Sequence, residues 1–158
     1  MAYIKYKEVT KYFNFSDVID VSKLPAYVSD YVYDEEIILA GYHTSRDHGI
    51  FTDKKIVLFD NTSTFGISKQ VFTIPYKSIS SIAVVYKPSG GELTCMLDSG
   101  YPLRLKFIKM DGKDKVRLRF LYSCICRIIN SQPLHPTTVN RLINNDINFS
   151  KGGKDLNE

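Results

Sequence analysis

The stretch Arg46–Ile79, RDHGIFTDKKIVLFDNTSTFGISKQVFTIPYKSI, decides the fold. Its Ile, Val, Phe and Thr runs are cut by short polar turns, and such side chains favour the pleated surface of a strand. Gly49–Thr52, Lys55–Asn61 and Ser68–Pro75 read as strands, broken at Thr52-Asp53-Lys54 and over residues 61–66. Working outward, Glu36–Tyr42 precedes them, and Ser80–Lys87, Glu92–Leu97 and Pro102–Ile108 follow. Pro88-Ser89-Gly90-Gly91 and Asp98-Ser99-Gly100 supply the remaining turns, giving seven short strands in all. Lys55–Asp60 is apolar almost throughout, so both of its faces must be covered, with a helical lid as one candidate cover.

The period changes at Asp111-Gly112. Val116, Phe120, Leu121, Cys124, Ile125, Ile128 and Ile129 recur every three or four residues, which predicts an amphipathic helix to Ser131. Arg117, Arg119 and Arg127 are expected to point toward water or the rim. Before the strands, Ser16-Asp17 opens an expected helical segment through Val18, Ile19 and Val21, and a second turn spans Pro25–Tyr33. After Pro133, Thr137 or Thr138 is positioned to cap a short helix carrying Val139, Leu142 and Ile143. The ending SKGGKDLNE has the composition of a flexible tail.

Residues Arg46-Asp47, Phe51-Thr52, Lys54–Asp60 and Ile74-Pro75-Tyr76-Lys77-Ser78-Ile79 together resemble the bacterial pleckstrin-homology (PH-like) family. The resemblance covers about Glu35–Asn130. It implies a mainly β (α+β) fold, a seven-stranded antiparallel barrel closed by a C-terminal lid helix. The domain then occupies 35–131, between an N-terminal extension, 1–34, and a C-terminal extension with a tail, 132–158. The resemblance also implies homo-oligomerisation, ring-like among relatives. A scaffold of this kind hosts many unrelated activities, so function rests on the residues themselves.

Composition narrows the classes. The 158 residues are 44% hydrophobic, enough for a core without a disulfide or metal framework. A net charge of +4, from 21 basic and 17 acidic residues spread along the chain, lacks the dense basic footprint of a duplex binder. No apolar run reaches the roughly 18 residues a spanning helix needs, and MAYIKYKEVTKYF is no secretory leader, so the expected address is cytoplasmic. Cys95, Cys124 and Cys126 are an odd set, read as reduced thiols rather than metal ligands, with no cofactor implied.

Chemistry leaves few footholds. There is no phosphate loop, dinucleotide fingerprint, nucleophile elbow or His-Glu-x-x-His pair, which favours a non-enzymatic role. Tyr42–His48 gathers His43, His48, Ser45 and Asp47 on one loop, residue types that can form a base–nucleophile pair or hold a metal. Arg46-Asp47 reads instead as a structural pair, so a small enzyme at this loop is the second alternative. Arg46, Arg104 and Lys106 are the candidate ligand-binding residues of the first alternative, a membrane-surface or anionic-ligand sensor. Selective phosphoinositide binding is disfavoured because the loop lacks the lysine and arginine cluster that phosphate contacts need. Specific nucleic-acid binding is disfavoured because alternation turns Phe107 away from Arg104 and Lys106. The leading reading is a non-catalytic protein-binding or self-assembly module with an unknown protein partner, in which Tyr86 and Lys87 are candidate contact residues.

Overall fold

The computed structural model describes residues 13–44, 47–61 and 69–147. Strands β1 (Phe13–Ile19), β2 (Ile38–Thr44), β3 (His48–Thr52), β4 (Lys55–Asn61), β5 (Lys69–Pro75), β6 (Ile79–Lys87), β7 (Gly90–Leu97) and β8 (Pro102–Phe107) precede helices α1 (Gly112–Ile129) and α2 (Pro136–Ile143). Short 3-10 turns occupy Val21–Lys23, Ala26–Tyr31 and Tyr76–Ser78. The strands form one sheet in the order β5-β4-β3-β2-β1-β8-β7-β6. Its two ends are not joined, so β5 and β6 are open edges among the described residues.

The seven strands expected between residues 36 and 108 are all present, as β2 to β8. An eighth comes from the N-terminal extension. Ser16–Ile19 is strand rather than helix, and β1 runs parallel to β8 while antiparallel to β2. The sheet is therefore not wholly antiparallel. The physical reason lies in Phe13 and Phe15, which alternate into the core with a period of two and outweigh the capping preference of Ser16-Asp17. That polar pair falls where the β1–β2 register slips, between Phe15 and Val18.

Phe15 sits at the centre of the core. Its ring packs 5.1–5.9 Å from those of Tyr42, Phe51 and Phe107. Gly49 makes room for it, because a Cβ there would lie 2.4 Å from the Phe15 ring. β4 faces two ways. Ile56 and Leu58 enter the main core, whereas Val57 and Phe59 join Val28 and Ile50 in a second cluster on the opposite face. The cover of that second face is the 3-10 turn Ala26–Tyr31, not the lid: Tyr27 and Tyr31 stand edge-on to Phe59 at 5.3 and 5.4 Å.

α1 starts at Gly112, where the change of period at Asp111-Gly112 places it. Asp111 is the N-cap and makes a reciprocal capping box with Asp114. Val116, Phe120, Leu121, Cys124 and Ile125 are buried as expected, but so is Arg117, which the spacing places outside. Arg117 is tolerated there because its charge is paired with Asp114 at 2.7 Å and its other terminal nitrogen donates to Asn145 beyond α2, while its Nε is buried without a partner. Asn145 in turn donates to Asp20 at 3.2 Å, tying α1, α2 and the N-terminal extension together. α2 begins with Pro136 at its first turn and has no side-chain cap; Thr138, read as a possible cap, is buried within it. The tail SKGGKDLNE lies outside the described residues.

Candidate partner-binding edge

β6, ISSIAVVYK, is rich in β-branched residues and turns into β7 through Pro88-Ser89. The glycine pair that follows is set by close approach: a Cβ at Gly90 would lie 2.5 Å from the Phe107 carbonyl oxygen, and one at Gly91 3.0 Å from that of Val85. Successive residues of β6 face opposite sides of the sheet. Ile82 and Val84 pack toward the core beneath α1, and Tyr86 follows them on that side. Val85 and Lys87 face outward with Glu92.

Among the described residues β6 pairs with one strand, β7. The Val85 carbonyl lies against Gly91, so the alternation of an antiparallel ladder aims the backbone groups of Ile82, Val84 and Tyr86 away from the sheet. One of these acceptors is already used: the Tyr122 hydroxyl of α1 donates to the Ile82 carbonyl at 3.3 Å. Lys115, one helical turn before Arg119, donates to the Pro88 carbonyl at 3.1 Å. The Arg119 guanidinium acts on Tyr86; burial raises the Tyr86 hydroxyl's pKa and this cation opposes the shift. Lys115 and Tyr122 thus set α1 beside the free edge of β6, and the groove is the strip between this helix and that strand.

The predicted contact pair separates. Tyr86 belongs to this groove, whereas Lys87 points to the other face and lies 3.8 Å from Glu92. Arg104 shares that outer face and the same carboxylate at 3.9 Å, while Lys106 is the register partner of Glu92. The basic face of β8 is thereby partly neutralised. Phe107 is buried and Arg104 exposed, so no aromatic platform accompanies the charges. Arg46 lies outside the described residues. Lys115 and Tyr122 were legible only as part of a helix, and their spacing was the available signal, whereas Arg119, expected to point toward water or the rim, is exposed.

The histidine loop has a different organisation from a catalytic site. His43 and His48 face each other across β2 and β3 with ring centroids 5.1 Å apart. Asp47 is the hub: it receives the Tyr27 hydroxyl, contacts His48 Nδ1 at 2.7 Å and pairs with Lys69 Nζ at 3.1 Å. Burial alone would raise its pKa, but the bonds from Tyr27, His48 and Lys69 outweigh that and hold it below the usual carboxylate range. Lys69 also stands 3.4 Å over the Tyr27 ring. Asp47 therefore fastens β5 and the outer 3-10 turn to the β2–β3 hairpin. Among the described residues no group of three histidine, cysteine or carboxylate side chains is placed to hold a metal.

An eight-stranded sheet followed by a helix over its core, with the motif order Phe51-Thr52 to Ile79 along β3–β6, is the architecture of a PH-like domain. The bacterial PH domain profile matches residues 9–129, and the chain belongs to that family. Three solved structures are similar. A protein with a pleckstrin-homology domain from Shewanella loihica PV-4 is 23% identical, with a TM-score of 0.57, covering 71% of this chain and 95% of its own. A pleckstrin homology domain from Shewanella amazonensis SB2B is 28% identical, with a TM-score of 0.51, covering 70% and 89%. A PH-domain-containing bacterial protein from Exiguobacterium sibiricum 255-15 is 21% identical, with a TM-score of 0.54, covering 75% and 62%. No protein of curated function matches the chain.

Proposed function

We propose that this PH domain is a non-catalytic protein-binding or self-assembly module that accepts an extended strand on β6. The observation that carries this reading is the open β6 edge beside α1, where Val84 and Tyr86 offer backbone groups away from the sheet and Tyr122 has taken the neighbouring Ile82 acceptor. Strand addition supplies main-chain hydrogen bonds for affinity and side-chain pockets for selectivity. Exposed Val85, Tyr86 and Met96 extend the apolar surface around the edge. When the partner is another copy, β5 is the second open edge, and β5-to-β6 pairing is heterologous, so homo-oligomers close as rings if the rotation permits.

The sensor reading is weaker because Glu92 lies between Arg104 and Lys87. The enzyme reading is weaker because Asp47 is already bonded to Tyr27, His48 and Lys69. Three free thiols fit a reducing, cytoplasmic setting. No helix among the described residues is long and apolar enough to cross a membrane.

Tyr86→Pro tests the edge, since proline removes an outward N–H yet is tolerated on an edge strand. Light scattering at micromolar concentration should show the wild-type chain above monomer mass and the variant reduced to a monomer, with similar melting temperatures. A monomeric wild-type chain would sink self-assembly; equal assembly of both chains would remove β6 as its edge.

A further inference from the structure

We propose that His43 and His48 form a two-histidine site for a divalent transition-metal ion, Zn²⁺ by its spacing, on the outer face of the β2–β3 hairpin. β1, β8 and β7 separate it from the β6 edge. Tyr42 enters the main core, so alternation turns its neighbour His43 to the opposite face, the one the Ala26–Tyr31 turn covers. His43 and His48 are register partners. The Thr44 N–H donates to the Asp47 carbonyl at 2.9 Å, which makes those two residues the hydrogen-bonded pair at the turn. The next pair, His43 with His48, is therefore non-hydrogen-bonded, the position where cross-strand side chains stand closest. Their ring centroids are 5.1 Å apart. With Zn–N bonds of about 2.0–2.1 Å, two imidazoles at adjacent corners of a tetrahedron have centroids about 5 Å apart.

The surroundings of His48 set its tautomer. Asp47 is held as a carboxylate, an acceptor only, so the 2.7 Å contact is a bond donated by His48 Nδ1. The neutral ring then carries its free lone pair on Nε2, the nitrogen that ligates. A carboxylate behind a ligating histidine fixes the ring and raises the basicity of that nitrogen. Tyr27 donates to the same Asp47 oxygen and Lys69 pairs with the other at 3.1 Å, which anchors the carboxylate in this supporting place. His43 is exposed and His48 half-buried, so the pair is open to an ion from solvent. Imidazole suits Zn²⁺, Cu²⁺ and Ni²⁺ rather than Mg²⁺ or Ca²⁺. Water fills the remaining coordination positions.

Calorimetric titration of Zn²⁺ alone into the full chain, with NMR of the three histidine rings, tests this. One equivalent should bind below about 100 µM, more weakly than at a four-ligand structural site. The ring signals of His43 and His48 should shift together while those of His135 stay, and Mg²⁺ should do neither. His43→Ala, which removes an exposed ligand, should abolish binding with the metal-free melting temperature unchanged, and His135→Ala should leave binding intact. Asp47→Asn, measured below its melting temperature, should weaken binding about 10- to 100-fold and lose the pure Nδ1–H signature in the His48 ring nitrogen shifts. Binding that survives His43→Ala, a shift at only one of the two rings, or no saturation in that range would each overturn the site. Unchanged affinity in Asp47→Asn would remove Asp47 from it.

Discussion

At the scale of single residues, Asp47 and the thiols give the clearest expectations. Asp47 has a folded pKa below its unfolded value of about 3.9. Its contribution to stability is therefore complete above that pH and is lost as pH falls through the lower, folded value. Asp47→Asn should destabilise the chain at neutral pH and flatten the acid limb of a stability-versus-pH curve; an unchanged acid limb would mean that another carboxylate governs it. Burial pushes the Cys95 thiol up to about 12, with Cys126 adding to the shift, and pushes Cys124 to about 11 despite the opposing Arg127 charge. A thiolate is the reactive form. An aromatic disulfide reagent at mildly alkaline pH should modify half-buried Cys126 first and reach Cys95 and Cys124 only on unfolding. Simultaneous reaction of all three would contradict the burial.

At the scale of elements, α1 and the outer 3-10 turn each close one face of the sheet. Phe120 is buried in the main core and is also covered by the Arg141 guanidinium, 4.9 Å from its ring, so this side chain joins both helices. Phe120→Asp should cost more than the roughly 3–5 kcal/mol of a Phe→Ala truncation, because a carboxylate is buried as well. Arg119→Asp, on the exposed face, should stay within about 0.5 kcal/mol. Denaturant melts separate the two, and similar small effects would mean that α1 does not pack by this face. The turn Ala26–Tyr31 is short and owes its place to Val28, Tyr27 and Tyr31 on Phe59 rather than to helix propensity.

For the whole molecule, the strand β1 that precedes Glu35 is a member of the sheet. β1 lies between β2 and β8, so it bridges two halves of the sheet that the later strands do not join. A chain beginning at Glu35 would lose that strand and leave the Phe15 site empty among Tyr42, Phe51 and Phe107. Phe15→Ala should cost about 3–5 kcal/mol, and the Glu35–Asn130 fragment should lack a cooperative thermal transition. A sharp transition in that fragment would show that β2–β8 fold without β1. Assembly by the fragment is accordingly a test of folding before it is a test of edges.

Seven strands, the turns at Thr52–Lys54, Pro88–Gly91 and Asp98–Gly100, and the amphipathic helix were legible because each is a local pattern: period two between turn residues, then a period near 3.6; the turn expected over residues 61–66 lies almost wholly outside the described residues. The two-sided burial of Lys55–Asp60 was legible as well, but its cover was not, since nothing local connects Val57 and Phe59 to Val28. The same limit hid β1, whose partners Thr44 and Phe107 lie far along the chain, and hid Arg117, whose burial depends on Asn145 across another helix. Of the candidate groove, Tyr86 could be chosen from its strand, whereas Lys115 and Tyr122 joined it only when α1 was laid along β6. Short-range periodicity and turn chemistry are written in neighbouring residues and so were determined by the sequence. The pairing of distant strands, the covering of each sheet face and the balancing of buried charge depend on which surfaces meet, and only the tertiary structure decided them.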